Sequence, residues 1–313
     1  MLIDTTALRK QYGPLVAVDS LDLHVAAGEV FGFLGPNGAG KTTTVKMLLG
    51  LVYPTGGEAR VLGQRPGNPV AMARVGFLPE HFRFPAWLTA WDFLDMHGRL
   101  YGLSRAERRK RIPRLLERVG LGDRMRSRLG EFSKGMQQRA GLAQAIMNDP
   151  ALVFLDEPTS GLDPVGRREV RDIIHDLRAQ GVTVFLNSHF LSEVEVTCDR
   201  VAIVKRGRVV RAGTLDELTG GATEVEIRAG GLTAELVAGL ARWGRVVDSR
   251  GTAENGQGDD ITRLMLTVDQ PDALPAIADY LVTGGARLYA LAPQRLPLEE
   301  LFMRVMREEE PAL

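Results

Sequence analysis

The chain has 313 residues, and its 39 Lys and Arg balance 39 Asp and Glu to a formal net charge of zero. That balance argues against a nucleic-acid partner, which usually brings a basic excess. Hydrophobic residues at 44% and charged residues at 25% exclude a disordered chain, and the length exceeds what one core serves, so two domains are expected.

The N-terminus, Met1 to Thr6, has no basic stretch leading into an apolar one and does not read as a signal peptide. No apolar run approaches the ~20 residues that span a bilayer. If the protein works at a membrane, another chain supplies the span. Val30 to Leu34, Ala151 to Leu155 and Val182 to Leu186 are short and apolar on both faces, as strands of a buried parallel sheet read. Helical patterns lie between them, which gives a βαβ rhythm and an α/β fold. The basic run Arg105 to Arg111 reads as a solvated helix face, with a phosphate or lipid-headgroup patch as the alternative. Cys198 is the single cysteine; it excludes an internal disulfide, fits a reducing compartment and reads as a buried core residue.

Val201 to Lys205 and Arg208 to Ala212 flank Arg206-Gly207 as a β-hairpin. Asp216 to Gly221 reads as a short helix ended by glycines, and the domain boundary is set there, at 1–220 and 221–313. Beyond it, Thr223 to Arg228 reads as a strand and Thr233 to Trp243 as a helix. Arg245 to Ser249 and Thr262 to Val268 read as strands around a polar loop, Gly251 to Asp260. Asp272 to Val282 (helix), Ala286 to Ala292 (strand) and Leu298 to Glu309 (amphipathic helix) follow. The order β-α-β-β-α-β predicts a small ferredoxin-like α+β domain. It carries no catalytic constellation.

The chemistry lies in the first domain. Gly35-Pro36-Asn37-Gly38-Ala39-Gly40-Lys41-Thr42 fits the P-loop pattern, after a strand and before a helix read as Thr42 to Leu51. Such a loop turns several N–H groups toward one point, and the helix start adds its positive dipole end. Lys41 offers a mobile charge for β- and γ-phosphates, and Thr42 a hydroxyl for Mg²⁺. The apolar run before Asp156-Glu157 ends in two carboxylates: Asp156 can hold Mg²⁺, and Glu157 can orient or deprotonate a water aimed at the γ-phosphate. In Phe132-Ser133-Lys134-Gly135-Met136-Gln137-Gln138-Arg139, Ser133 can cap a helix and Gly135 leaves nearby N–H groups open, a second anion-binding helix start.

This octapeptide resembles the signature motif of ABC (ATP-binding cassette) ATPases, Leu-Ser-Gly-Gly-Gln-x-Gln-Arg, with departures at Phe132, Lys134 and Met136. Ser160-Gly161-Leu162-Asp163 is similar to the family's D-loop, and Ser188-His189 to its switch histidine. Tyr12 stands where the family has an aromatic that stacks on adenine. After Val75-Gly76-Phe77-Leu78-Pro79 the family carries Gln; here it is Glu80, whose carboxylate adds negative charge beside a triphosphate. The resemblance spans about Leu2 to Leu218. It implies an ABC ATPase core with a mixed sheet, an antiparallel β subdomain and a helical subdomain at about 85–150.

The resemblance further implies Tyr12, Gly35 through Thr43, Ser133, Gly135 and Asp163 as nucleotide contacts. Thr42, Asp156 and Glu80 would attend Mg²⁺, and Lys41, Glu157 and His189 would act in hydrolysis. The Ser-Lys-Gly-Met and Leu-Pro-Glu forms look like those of ATP-binding subunits of ABC-2-type exporters. Such a subunit forms a head-to-tail homodimer with two ATP between the copies. It serves a transmembrane permease on a separate polypeptide, from the cytoplasmic face of the cell membrane. Two rivals stand beside this reading: a soluble ABC ATPase, against which the single P-loop and neutral charge weigh, and a nucleotide-gated regulator that scarcely hydrolyses.

Overall fold

The computed structural model describes every residue except 82, 220–222, 256–258, 269–270, 295–296 and 308–313. The chain divides into two compact units, Met1–Leu215 and Asp216–Leu313. The boundary expected at 220/221, with its terminal glycines, lies outside the described residues.

The first unit runs β1 (Ile3–Tyr12), β2 (Leu15–Val25), β3 (Val30–Leu34), α1 (Lys41–Leu48), β4 (Gly56–Val61), α2 (Pro69–Met72), β5 (Val75–Leu78), α3 (Ala90–Leu100), α4 (Arg105–Arg118), α5 (Lys134–Ala145), β6 (Leu152–Asp156), α6 (Pro164–Ala179), β7 (Thr183–Asn187), α7 (Leu191–Thr197), β8 (Arg200–Lys205) and β9 (Arg208–Thr214). Its main sheet has the order β5-β6-β7-β3-β8-β9, parallel from β5 to β8 and antiparallel at β9. Every residue of β3, β6 and β7 is buried, as strands covered on both faces require. Phe185 lies within 5.1–5.8 Å of the rings of Phe31, Phe33 and Phe154, which knits three neighbouring strands.

A second, antiparallel sheet, β2-β1-β4, packs Ile3, Leu8, Leu21, Leu23 and Val25 into the same core as Phe31 and Phe33. The β8–β9 hairpin turns at Arg206 and Gly207, both at positive φ (49° and 80°), the geometry of a two-residue hairpin turn. Cys198 is buried beside Gly32, and burial, with help from Asp199, pushes its thiol far up. It is an inert packing residue.

Helices α3, α4 and α5 form the helical part of this unit. Thr89 caps α3, and Ser104 with Glu107 forms a capping box on α4. The basic run on α4 is only partly a solvated face. Arg108 is buried, donating to Asp95 of α3 and to the Leu103 carbonyl, and Arg111 pairs with Asp149 at 2.8 Å. Carboxylates on neighbouring elements, invisible to a helix-face reading, draw these two inward.

After α8 (Leu215–Thr219), whose first residue closes the first unit, the second unit continues with β10 (Thr223–Gly230), α9 (Ala234–Gly239), β11 (Gly244–Asn255), β12 (Asp259–Val268), α10 (Leu274–Thr283), β13 (Arg287–Gln294) and α11 (Leu298–Arg307). Its antiparallel sheet has the order β11-β12-β10-β13. With two helices in the connections β10–β11 and β12–β13, this is the ferredoxin-like split βαβ arrangement. Val225, Ile227, Leu236, Leu264, Leu266, Ile277 and Leu281 form its core. The polar loop expected from Gly251 to Asp260 is wrong over most of its length. β11 stays paired to Asn255 and β12 begins at Asp259, because cross-strand partners such as Gly251↔Thr262 satisfy the backbone whatever the side chains. Residues 256–258 of that expected loop, and 308–309 of the expected last helix, lie outside the described residues.

Candidate nucleotide-binding and hydrolytic site

β3 ends at Leu34 and opens directly into the loop Gly35–Gly40, and α1 begins at Lys41. The helix start has no side-chain cap and no acidic residue in its first turn, so its free N–H groups remain for an anion. Gly40 sits at φ 96°, and a Cβ there would fall 2.3 Å from the Ala17 carbonyl oxygen of β2. Only glycine lets the loop lie that close to the antiparallel sheet. Ala39 is pinned on the other side, its carbonyl accepting from Gly207 N–H at 3.0 Å. Pro36, Asn37, Gly38 and Thr42 stay exposed along the rim, and Thr43 is half-buried.

Lys41 is 8% exposed, and its ammonium donates to the carbonyls of Gly35 (2.7 Å) and Pro36 (3.3 Å). Burial pulls its pKa below the ordinary lysine range, against the upward pull of Glu157, Asp156 and Glu80. Asp156, 4% exposed at the end of β6, shows the converse. Burial pushes its carboxyl above the ordinary range, Glu80 and Glu157 add to the push, and Asn187 and Lys41 oppose it.

Glu157, the next residue, is 8% exposed at a positive φ of 52°, a costly conformation for a non-glycine. Its N–H donates to the Asn187 carbonyl at 2.8 Å and its carbonyl accepts from Ser160 at 3.1 Å, which holds the turn. Its Oε2 lies 2.7 Å from His189 Nδ1, yet the atom has no well-formed hydrogen bond. His189 follows β7 and leaves about half its side-chain surface open (51%). Glu80 follows β5 beside His81 at 3.7 Å, half-exposed but near enough to influence both Lys41 and Asp156.

The remaining sequence-derived residues form a second group. Ser133 caps α5, its Oγ accepting from Met136 N–H at 3.3 Å. Lys134 stretches along Gly161, where a Cβ would fall 2.1 Å from the ammonium nitrogen, and Leu162 is the nearest neighbour of Gly135. Asp163 caps α6, accepting from Gly166 N–H at 2.7 Å. The segments 133–135 and 161–163 are thus adjacent. Tyr12 closes β1 opposite Leu15, at the tip of the hairpin whose Ala17 touches Gly40; it is 45% exposed with the Lys10 ammonium 4.9 Å from its ring centroid.

Asn187 was missed by the sequence reading. Its amide donates to the Asp156 carboxylate, and its carbonyl fixes Glu157. A polar residue directly after the apolar run Val184 to Leu186 was the available signal.

The donor set suits both a nucleotide and its metal. Thr42, Asp156 and Glu80 offer hydroxyl and carboxylate oxygens, the hard ligands Mg²⁺ prefers. Asp156 accepts from the Asn187 amide, and Glu157 Oε2 faces His189 Nδ1 without an aligned hydrogen bond, so both buried carboxylates keep acceptor capacity for a further partner. Among the described residues no cluster of three or more His, Cys, Asp or Glu forms a self-sufficient metal site, and Mg²⁺ commonly relies on one or two carboxylates plus phosphate.

Residues 18–160 match the family described as ABC transporter. The chain is 39% identical to an uncharacterised ABC transporter ATP-binding protein of Nostoc sp., over 100% of this chain and 92% of that protein. It is 37% identical to a daunorubicin resistance ATP-binding protein of Streptomyces coeruleorubidus, over 98% of this chain and 96% of that one. A solved structure described as the ATP-binding subunit of an ABC transporter superposes with a TM-score of 0.64 at 33% identity, covering 70% of this chain and 92% of that one. With a P-loop, a strand-end acidic pair and a histidine set on neighbouring strands of one mixed sheet, the chain belongs to the ATP-binding proteins of ABC transporters.

Proposed function

We propose that the chain binds and hydrolyses ATP as the motor subunit of an exporter. It pairs head to tail with a second copy and works from the cytoplasmic face of the cell membrane through a separate permease. One observation carries the ATPase reading: Lys41, Asp156, Glu157 and His189 lie at or beyond the C-terminal ends of β3, β6 and β7, three neighbouring strands, and influence one another there. The exporter reading leans on the likeness to the daunorubicin resistance protein. No described helix is long and apolar enough to cross a membrane, and the permease is proposed to supply the crossing.

On nucleotide binding, Lys41 exchanges the carbonyls of Gly35 and Pro36 for β- and γ-phosphate oxygens, and the N–H groups at the start of α1 take up phosphate charge. Thr42 and Asp156 would hold Mg²⁺ with Glu80 beside them; the ion supplies charge neutralisation at the phosphates. Glu157 takes a proton from the attacking water at its carboxylate, and His189, held beside Oε2, orients that water and touches the γ-phosphate. Tyr12 stacks on adenine. Ser133, the N–H groups about Gly135, and Asp163 of the second copy close the open face, so ATP joins the copies and hydrolysis releases them.

The test is phosphate release from Mg²⁺-ATP by the purified chain, together with the solution mass of Glu157→Gln with and without Mg²⁺-ATP. Hydrolysis by the parent and an ATP-driven shift of the variant to a dimer support the reading. A parent that binds ATP without hydrolysing it sinks the reading in favour of a nucleotide-gated regulator, the role that Glu80 and the altered signature residues favour.

A further inference from the structure

Phe190 follows His189 and carries no proton chemistry of its own, yet two side chains converge on its ring. The His189 imidazole lies 4.1 Å away, centroid to centroid, with the planes 36° apart. The Arg167 guanidinium sits 4.4 Å from the ring centroid. Arg167 belongs to the first turns of α6 and is anchored there, Nε donating to the Leu162 carbonyl at 3.1 Å. The Phe190 backbone is also fixed, its N–H donating to Ser188 Oγ at 3.1 Å.

The consequence falls on His189. A histidine with half its surface open in a strand-to-helix turn would ordinarily sample several rotamers. Here one face of the imidazole is occupied by a ring that is itself held by a guanidinium, and the ring edge bearing Nδ1 is 2.7 Å from Glu157 Oε2. Turning Nδ1 to Glu157 leaves Nε2 as the nitrogen available to a phosphoryl oxygen. A planar guanidinium can stack on an aromatic face, which an ammonium does less well.

We propose that Arg167 and Phe190 are positioning residues for His189, holding its imidazole in the rotamer that presents Nδ1 to Glu157 and Nε2 to the nucleotide. The bond from Arg167 to Leu162 ties that rotamer to the segment 160–163, so displacement of this segment also shifts the histidine. The proposal rests on the ATPase reading and adds two residues that reach the reacting atoms only through another side chain.

Single-turnover hydrolysis and steady-state kinetics of Phe190→Leu, Phe190→Tyr, Arg167→Met and the His189→Ala, Phe190→Leu double variant test it. Phe190→Leu and Arg167→Met are expected to lower kcat about tenfold with KM for ATP within about twofold of the parent, as loss of orientation without loss of binding gives. Phe190→Tyr keeps the ring and is expected to retain parental kcat, and on the His189→Ala background Phe190→Leu is expected to cost nothing more. Parental kcat in Phe190→Leu, a rise in KM that accounts for the loss, failure of Phe190→Tyr to preserve kcat, or an equal further loss on the His189→Ala background would each overturn it. A parent without hydrolysis removes the ATPase reading and this proposal with it; an active parent with any of those four results removes this proposal alone.

Discussion

The Asn187 side-chain amide donates a hydrogen bond to the Asp156 carboxylate across the ends of two adjacent parallel strands, β7 and β6. The bond favours the ionised carboxylate against the burial that disfavours it. Asn187→Leu keeps the branched shape, adds some volume and removes the donor. Asp156 then takes up a proton more readily and meets Mg²⁺ less well. A hydrogen bond to a charged group contributes ~1.5–3 kcal/mol, so the Mg²⁺ concentration for half-maximal hydrolysis should rise about tenfold or more. A Mg²⁺ titration at fixed ATP checks this, and an unchanged requirement would show that Asn187 has no part in metal binding.

The site carries two buried charges that cost the nucleotide-free fold stability, and they do so with opposite pH dependence. Asp156 has a raised folded pKa against an ordinary 3.8. Between those values the folded protein keeps a proton that the unfolded chain has released, so stability falls as pH rises through that window and the loss is complete above it. Lys41 has a lowered folded pKa against an ordinary 10.5. Its cost is complete below the lowered value and is relieved as pH rises toward 10.5. Asp156→Asn and Lys41→Met should each raise the Tm of the nucleotide-free protein at neutral pH, by about 2–4 °C per kcal/mol gained in a domain of this size. The gain from Asp156→Asn should shrink on acidification and that from Lys41→Met on alkalinisation. Both should lower hydrolysis by at least about 10²-fold. Calorimetry across pH decides; parallel pH trends would contradict the assignment.

What sequence could and could not reveal follows from how local each feature is. β3, the loop Gly35–Gly40 and α1 are contiguous, so the strand–loop–helix arrangement proposed to cradle phosphate is visible in the sequence alone. Asp156 and Glu157 were legible for the same reason, as a strand running into carboxylates. The partners of these residues come from elsewhere in the chain. Asn187 stands 31 positions from Asp156, and Arg167 reaches Phe190 from another helix. No periodicity links them. The β11–β12 hairpin failed in the opposite sense: Gly251 and Thr252 look like loop residues, and only their partners Thr262 and Ile261 keep them in the sheet. Arg108 looked solvated because Asp95, which buries it, lies on a different helix.

Gly76 of β5 meets the end of α5 so closely that a Cβ would lie 2.0 Å from the Ala145 carbonyl oxygen. β5 leads to Glu80, and α5 starts at the Ser133 cap, so this contact sets the distance between two parts of the site. Gly76→Ala must push the helix away or shift the strand. Overpacking of this kind costs about 1–3 kcal/mol. Urea unfolding should show a fall of that size in the unfolding free energy extrapolated to water. A neutral Gly76→Ala would mean that α5 moves freely against β5.

The ion pair between Arg108 and Asp95 ties α4 to α3, with Nε to Oδ1 at 2.6 Å and both side chains largely shielded. Burial pushes the Asp95 carboxyl upward, but the hydrogen bonds from Arg108 and Arg99 outweigh it and leave the group below the ordinary 3.8. Its contribution is therefore present above 3.8 and is lost as pH falls through the lower folded value. Arg108→Met keeps most of the apolar stem yet strands a shielded carboxylate and leaves the Leu103 carbonyl without this donor. Removing one partner of a shielded pair costs about 3–5 kcal/mol when burial is complete, and less here because Asp95 keeps Arg99. A loss of about 2 kcal/mol is expected, with Arg108→Lys recovering only part of it, since an ammonium cannot reproduce the two-pronged contact. Trp91 lies one turn before Asp95 on the same helix, so its fluorescence reports the change during urea unfolding at pH 7. Asp95→Asn should show the same direction at pH 7 and converge on the parent as the pH is lowered through the folded pKa of Asp95.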